Sequence, residues 1–182
     1  MTQFVPFEKG VEVNGQTILA VVYALHAGRD TRWGILEKHG LGNIQPDQWY
    51  SQEKWLNAFR DISKHLGDPT LFVIGKAIPE NALFPPEIDS LEKALNSIDI
   101  AYHMNHRGGE IGSYKLTSFD AAKREAIMVC HNPYPSEFDR GIITTMLRKF
   151  KPKDSYIAEV NLDQTKETRQ EGKETCTYII TW

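Results

Sequence analysis

The chain has 182 residues, 41% of them hydrophobic, which suits one domain and supplies enough apolar material for a full core. Its formal net charge of −3 comes from 24 acidic and 21 basic residues, interspersed along the chain, and this argues against nucleic acid as a partner. Because no signal segment and no run of about 20 apolar residues occurs, we expect no membrane insertion and a cytoplasmic protein. In that compartment Cys130 and Cys176 are expected to be small, reduced core residues.

The first segment, residues 1–30, permits two interpretations. Asn14-Gly15 is typical of the tight turn of a β-hairpin. The residues from Gln16 to Leu25 include alanine and leucine, which suit a helix, and periodicity cannot separate the two structures in so short an apolar run. The sequence alone leaves both open.

Residues 31–109 predict a mainly helical layer, because apolar residues recur there every three or four positions. Serine or aspartate at the helix starts and glycine at the ends indicate the boundaries. The expected helices run from Asp30 or Thr31 to Gly40, from Ser51 to Gly67, over 71–78, and from Ser90 to Gly108.

Residues 110–182 change to an alternating pattern that is typical of strands. Two strands are expected over 114–130, then a helix that begins with a capping box at Ser136, then two strands over 156–162 and 176–182. The predicted fold class is therefore α+β, with a helical N-terminal half packed on the antiparallel sheet of a β-β-α-β-β C-terminal half. Residues 1–182 are expected to form a single domain.

The stretch 97–110 concentrates ionisable and aromatic side chains at a helix end and a glycine turn. Tyr102 shares an apolar stripe with Leu95 and Ile98, as a core tyrosine would. His103 follows Asp99 by one helical turn and could pair with it. A ligand contact and ordinary packing are both open for this stretch.

A metal site is one alternative for the same residues. His103 and His106 lie three apart, and Cys130 could complete a set of ligands for zinc or iron. The neighbouring His131 would point to the opposite face of its strand, so only one of the two could join. With Glu110 as a base, such a site would define a metal-dependent hydrolytic enzyme. No motif of a nucleophilic or nucleotide-dependent enzyme occurs, so no catalytic residue is assigned.

The order of elements and several short motifs resemble the haem nitric-oxide/oxygen-binding (H-NOX) domain over residues 31–182. One matching segment, 95–103, resembles the helix with the family's Leu-Asp-x-x-His haem ligand, and Tyr134-Pro135-Ser136 resembles the start of its Tyr-x-Ser-x-Arg propionate motif. The other matching segments are 33–41, 55–67 and 71–75.

Two positions depart from the H-NOX pattern. Tyr102 stands where the family has its histidine, and His103 follows one residue later. Phe138 stands at the arginine position of the propionate motif, and Arg140 follows two residues later. The resemblance therefore implies haem as one candidate for an otherwise unknown cofactor, with Tyr102 or His103 as an atypical ligand.

The segment 171–178 resembles the end of vinyl-4-reductase-like domains, which share this architecture with Golgi-transport (TRAPP) subunits. The function implied is a cytosolic small-molecule-binding or sensory domain for a mainly apolar ligand. The expected pocket residues are Leu95, Ile98, Tyr102, His103, His106, Tyr134, Ser136 and Arg140. A third class is an interaction module, with a homodimer formed through the aromatic helix surfaces or through the end strand that carries Trp182, since an exposed edge strand favours pairing. A ligand-binding domain predicts an apolar cavity near Tyr102, whereas an interaction module predicts an exposed apolar patch.

Overall fold

The computed structural model describes residues 3–182, and its helices and strands form an α+β fold, as expected. The helices within this range are α1 (Gly15–Tyr23), α2 (Arg29–Lys38), α3 (Gln52–Leu66), α4 (Asp68–Glu80), α5 (Leu91–Met104) and α6 (Ser136–Phe150). The first sheet pairs β1 (Glu12–Asn14) with β2 (Trp49–Ser51) and β3 (His106–Arg107). The second contains β4 (Ser113–Asp120), β5 (Glu125–His131), β6 (Glu159–Leu162) and β7 (Cys176–Thr181).

The N-terminal segment follows the helical alternative. Asn14 has a φ of −68° and its side chain accepts a hydrogen bond from the Gln16 amide at 2.8 Å, so it caps α1. The hairpin interpretation is wrong because a hairpin turn of that type needs positive φ angles. Met1 and Thr2, which belong to the same sequence segment, lie outside the described residues.

Helix α2 begins earlier than the sequence indicates. Gly28 precedes it, without a side-chain cap, so the predicted cap at Asp30 or Thr31 is wrong. The turn before α2 is instead held by the buried Arg32, whose guanidinium donates hydrogen bonds to the carbonyls of Val22, Leu25 and Ala27. Gly40 adopts a φ of +74° after the helix, as predicted.

Helices α3 and α5 have the predicted starts, since Ser51 accepts from the Lys54 amide and Ser90 from the Lys93 amide, both at 3.4 Å. Helix α4 is longer than predicted. Pro69 lies in the first turn of α4, where its missing N–H leaves no bond unmade. None of the helices in residues 3–182 has the length and apolar character to cross a membrane.

Two glycines let α4 and α6 pack backbone against backbone. A Cβ atom built on Gly75 would lie 2.1 Å from the Phe138 carbonyl oxygen, and one on Gly141 would lie 2.2 Å from the Phe72 carbonyl oxygen. Both glycines are buried between the helices. Any side chain at either position would push the helices apart.

We therefore expect Gly75→Ala to lower the free energy of unfolding by about 3 kcal/mol, since a backbone oxygen cannot move aside as a side chain can. Gly34→Ala in α2 is the matched control, because a Cβ there meets nothing within 4 Å. The control should gain up to about 1 kcal/mol from helix propensity alone. Urea unfolding of both variants checks this, and equal stability of the two would contradict the close approach.

The second sheet has the order β4-β5-β7-β6 and is antiparallel throughout, which confirms the predicted β-β-α-β-β half. The expectation that Trp182 sits on an edge strand is wrong: β7 lies between β5 and β6, and Trp182 is buried against Phe119. The capping box at Ser136 is also wrong. Pro135 precedes α6 without a side-chain cap, and the Ser136 hydroxyl accepts a hydrogen bond from Gln170.

Candidate functional site

A cavity of about 140 Å³ lies between α4, α5 and α6. Its apolar walls come from the end of α4 and the following loop, from α5 and from one face of α6. They are Ile78, Pro79, Ala82, Phe84, Ile98, Ala101, Phe138, Ile142 and Met146. Its polar walls are Thr17, Ser97, Tyr102, Asn105, His106, Tyr114 and Tyr134. No lysine, arginine, aspartate or glutamate is among these lining residues.

The cavity has an open end and a closed end. Ala82 and Ala101 are exposed and mark the mouth, between the loop after α4 and the solvent side of α5. Tyr102, His106 and Tyr134 are buried and mark the inner end. The exposed rim is therefore apolar at Ala82 and Ala101, whereas Tyr102, His106 and Tyr134 supply buried hydrogen-bonding groups.

His106 is held in one neutral form at the inner end. Its Nδ1 lies 2.9 Å from the Tyr102 carbonyl oxygen, which can only accept, so Nδ1 carries the proton. Its Nε2 then accepts from the Tyr134 hydroxyl at 2.7 Å. Burial lowers the pKa of His106 from 6.5 to about 4, so the ring is uncharged at neutral pH.

Tyr102 and Tyr134 are also fixed. The Tyr102 hydroxyl donates to the Ile111 carbonyl at 2.5 Å, and its ring packs 4.3 Å from that of His106 and 6.2 Å from that of Tyr134. Burial raises the pKa of both phenols, so both remain protonated. The inner end therefore offers uncharged hydrogen-bonding groups.

A buried ion pair, Asp139 with Arg169, lies next to the cavity wall and is hydrogen-bonded to the lining residue Tyr114. The Tyr114 hydroxyl donates to Asp139 Oδ1 at 2.7 Å, and Asp139 Oδ2 accepts from Asn132 at 3.1 Å and from the Arg169 guanidinium. Arg169 also donates to the Cys130 carbonyl at 2.9 Å. Asp139 and Arg169 are both 0% exposed. These groups connect α6, β4, β5 and the turn before β7, and they fix the ring of Tyr114 in the cavity wall.

Four of the eight residues expected in the pocket line this cavity: Ile98, Tyr102, His106 and Tyr134. The other four lie elsewhere. Leu95 is fully buried in the core, and His103 is exposed, with Nδ1 donating to the Asp99 carbonyl at 2.9 Å.

Ser136 and Arg140 do not line the cavity, because the side chain of each is bonded to another residue outside it. Ser136 bonds Gln170, as described above. Arg140 forms an ion pair with Glu137, and its guanidinium lies over the ring of Phe72 at 4.2 Å. Arg140 therefore occupies the α4 side of α6.

The expected metal ligands do not converge. His103 points to solvent, both ring nitrogens of His106 are engaged, and Cys130 is a buried free thiol whose pKa is raised by burial. Within residues 3–182 no group of three or more His, Cys, Asp or Glu side chains could hold a metal ion. Glu110 accepts a hydrogen bond from the Gly112 amide and lies outside the cavity lining.

Some cavity residues could have been found from the sequence. Ala101 and Asn105 share a face with Ile98 and Tyr102, since positions three and four apart on a helix are neighbours. Ile142 and Met146 lie on the apolar face of α6 by the same rule. No local signal identifies Tyr114, which enters the site through the sheet, or Arg169, which lies in a charged loop.

Comparison with known proteins identifies the fold. No family model matches the chain, and no curated protein matches it. Among solved structures, a variant of the T. tengcongensis H-NOX has a TM-score of 0.63 at 15% identity, covering 92% of this chain and 96% of that one. An oxygen-binding H-NOX domain related to soluble guanylate cyclases, in its oxygen complex, has a TM-score of 0.61 at 17% identity, with 92% and 91% covered. A structure described under the modulation of heme redox potential through porphyrin distortion has a TM-score of 0.60 at 16% identity, with 93% and 94% covered.

The chain therefore has an H-NOX-like fold, as the sequence resemblance implied. At these identities the likeness establishes architecture, and the chemistry has to come from the residues of this chain.

The residues around the cavity do not fit a haem in the arrangement observed. A haem needs an axial ligand with a free lone pair toward the iron and cations for its propionates. Tyr102 is bonded to Ile111, His106 has no free nitrogen, and His103 lies on the outer side of α5. No cationic side chain lines the cavity, and its volume of about 140 Å³ is below the range of pockets for drug-sized ligands, about 300–1,000 Å³.

Proposed function

We propose that this chain is a sensory or ligand-binding domain that holds one small, uncharged, mainly apolar molecule in the cavity between α4, α5 and α6. The observation that carries the proposal is the cavity itself, with apolar walls and a buried inner end. An apolar cavity of about 150 Å³ is large enough to bind benzene. A molecule of one aromatic ring therefore matches the space.

The charge distribution supports an uncharged ligand. The cavity lining contains no formally charged side chain, and His106 is neutral because burial lowers its pKa to about 4. The nearest buried charges, Asp139 and Arg169, neutralise each other. An ion would lose its water without gaining a partner, so the site should reject carboxylates and amines.

Ethylbenzene is the probe for the apolar cavity, and Ala101 is the position to block. Ala101→Trp places an indole at the mouth without disturbing the core, because Ala101 is exposed, and it should weaken ethylbenzene binding at least about tenfold through steric exclusion. Ile100→Trp is the matched control: Ile100 is the adjacent residue, 61% exposed, and does not line the cavity. Calorimetric titration with ethylbenzene measures the dissociation constants of the wild type and of both variants. No binding to the wild type, or equal losses in the two variants, would refute the site.

A haem-binding gas sensor is the second candidate function. The observation in its favour is the shared architecture with domains described as binding oxygen and as having a heme redox potential. The engaged Tyr102 and His106 and the absence of a lining cation oppose it. Addition of haem to the purified protein separates the candidates, because a Soret band lost in Tyr102→Phe would favour the haem sensor.

The remaining assignments are proposals that rest on the sequence. They are the kinship with vinyl-4-reductase-like domains, the cytoplasmic location, the homodimer and the single domain over residues 1–182. An interaction module without a ligand would need no cavity, and the cavity bounded by Tyr102 favours ligand binding over that alternative.

A further inference from the structure

Helix α5 places one buried hydroxyl among the apolar residues of the cavity wall. Ser97 lines the cavity, is 8% exposed, and is followed on the same wall by Ile98 and Ala101. Its hydroxyl donates to the Ala94 carbonyl at 2.7 Å. Because a carbonyl can only accept, this bond uses the single proton of the serine and leaves the lone pairs of its oxygen. No residue in the range 3–182 donates to that oxygen.

The other buried polar side chains of the lining also donate their protons to the protein. Each of three tyrosine hydroxyls has a fixed acceptor: Tyr102 donates to the Ile111 carbonyl, Tyr114 to Asp139 and Tyr134 to His106. The one proton of neutral His106 goes to the Tyr102 carbonyl. Thr17 and Asn105, the two remaining polar lining residues, are only half-buried, so water can bond their polar groups. Among the described residues, the buried part of the lining therefore offers no free donor.

This distribution of protons discriminates between ligands by the direction of their hydrogen bond. A ligand group that only accepts, such as an aldehyde or ether oxygen, gains a bond from these side chains only if one proton leaves its present acceptor. The acceptors are buried, so the one that is left loses a bond that water does not replace. A ligand group that donates needs no such exchange, because the Ser97 oxygen accepts in its present position.

We propose that Ser97 binds the single polar group of the ligand, and that this group is a hydrogen-bond donor. The ligand class that meets this requirement is the phenols. A phenol has one ring, which matches the space, and its hydroxyl donates while remaining uncharged at neutral pH, as that of tyrosine does. This inference rests on the proposed function, and it narrows the ligand from small apolar molecules in general to phenols.

Phenol, toluene and benzaldehyde test this specificity, because the group on the ring donates in phenol, is apolar in toluene and only accepts in benzaldehyde. Calorimetric titration of the wild type with each probe measures the three dissociation constants and needs no variant. We expect phenol to bind at least about fivefold more tightly than benzaldehyde, since one hydrogen bond separates them. Benzaldehyde bound as tightly as phenol would overturn the requirement for a donor.

Ser97→Ala then tests the residue itself, because it removes the acceptor and little volume. It should weaken phenol binding about fivefold and leave toluene and benzaldehyde binding unchanged. Ser63→Ala in α3 is the matched control: the Ser63 hydroxyl also donates to the carbonyl three residues earlier, at 2.8 Å, but does not line the cavity, so no probe should change. An unchanged affinity for phenol in Ser97→Ala, or equal losses of phenol and toluene, would overturn the role of Ser97. Failure of toluene to bind the wild type would instead overturn the proposed function.

Discussion

Replacing Asp139 by leucine is expected to lower the free energy of unfolding by about 3–5 kcal/mol, because it leaves the Arg169 guanidinium buried without a counter-charge. The carboxylate also accepts from Tyr114 and Asn132, and both donors would lose their partner. Urea unfolding of the single variant measures the loss. Because the Tyr114 ring lines the cavity, the same variant should bind ethylbenzene more weakly.

The control is an ion pair at the surface. Asp154 pairs with Arg124 while 68% of its side-chain surface is exposed, so Asp154→Ala should cost less than about 1 kcal/mol. The double variant Asp139→Leu with Arg169→Met should recover part of the stability, since replacement of a buried pair by apolar residues is often neutral. An Asp139→Leu protein as stable as Asp154→Ala would show that Arg169 is not confined to the interior.

The sequence predicted the parts of the fold that depend on local rules. Ser51 and Ser90 begin their helices because a serine oxygen can accept from an amide three residues later, whatever the rest of the chain does. The stripe of α5 puts Leu95, Ile98 and Tyr102 on one face, since the helical period alone determines which residues share a face. Ile98 and Tyr102 line the cavity, whereas Leu95 lies in the core.

The predictions for Ser136 and Trp182 are wrong because contacts between distant segments of the chain override the local pattern. Ser136 has the sequence of a capping residue, but Gln170 from the loop before β7 takes its hydroxyl. The strand that carries Trp182 is expected to offer an exposed edge, yet β7 inserts between β5 and β6. Strand order of this kind is set by packing and cannot be read from alternation.

In the candidate site, too, local sequence rules do not identify the residues that contacts between distant segments bring together. Arg169 lies in a loop rich in charged residues, which is typical of solvated surface, and its burial is explained by distant partners, Asp139 on α6 and the carbonyls of Cys130 and Asn132. His103 and His106 look equivalent in the sequence. The structure places His103 in solvent and His106 in the interior because α5 ends at Met104 and the chain turns inward to form β3.

The burial of His106 predicts a pH dependence of stability. Its pKa is 6.5 as a free side chain and about 4 in the fold. Burial is the largest cause, because it disfavours the protonated ring. The hydrogen bond to the Tyr102 carbonyl raises the pKa in part, and the neighbouring His103 lowers it further. Below pH 6.5 the unfolded chain therefore binds a proton that the folded chain does not. The free energy of unfolding should fall as the pH drops from about 6.5 to about 4, by about 3 kcal/mol, and this contribution should then level off.

His106→Gln isolates this contribution, because an amide can still donate to the Tyr102 carbonyl and accept from Tyr134 but does not titrate. The carboxylates whose pKa is lowered in the fold, such as Asp61 beside His39, lose their stabilisation only below their ordinary pKa of 3.8, outside this window. The difference in slope between wild type and His106→Gln from pH 6.5 to pH 4.5 therefore reports His106 alone. Parallel slopes would mean that the imidazole is protonated as readily in the fold as in the unfolded chain, and the inner end of the cavity would then carry a positive charge in acid.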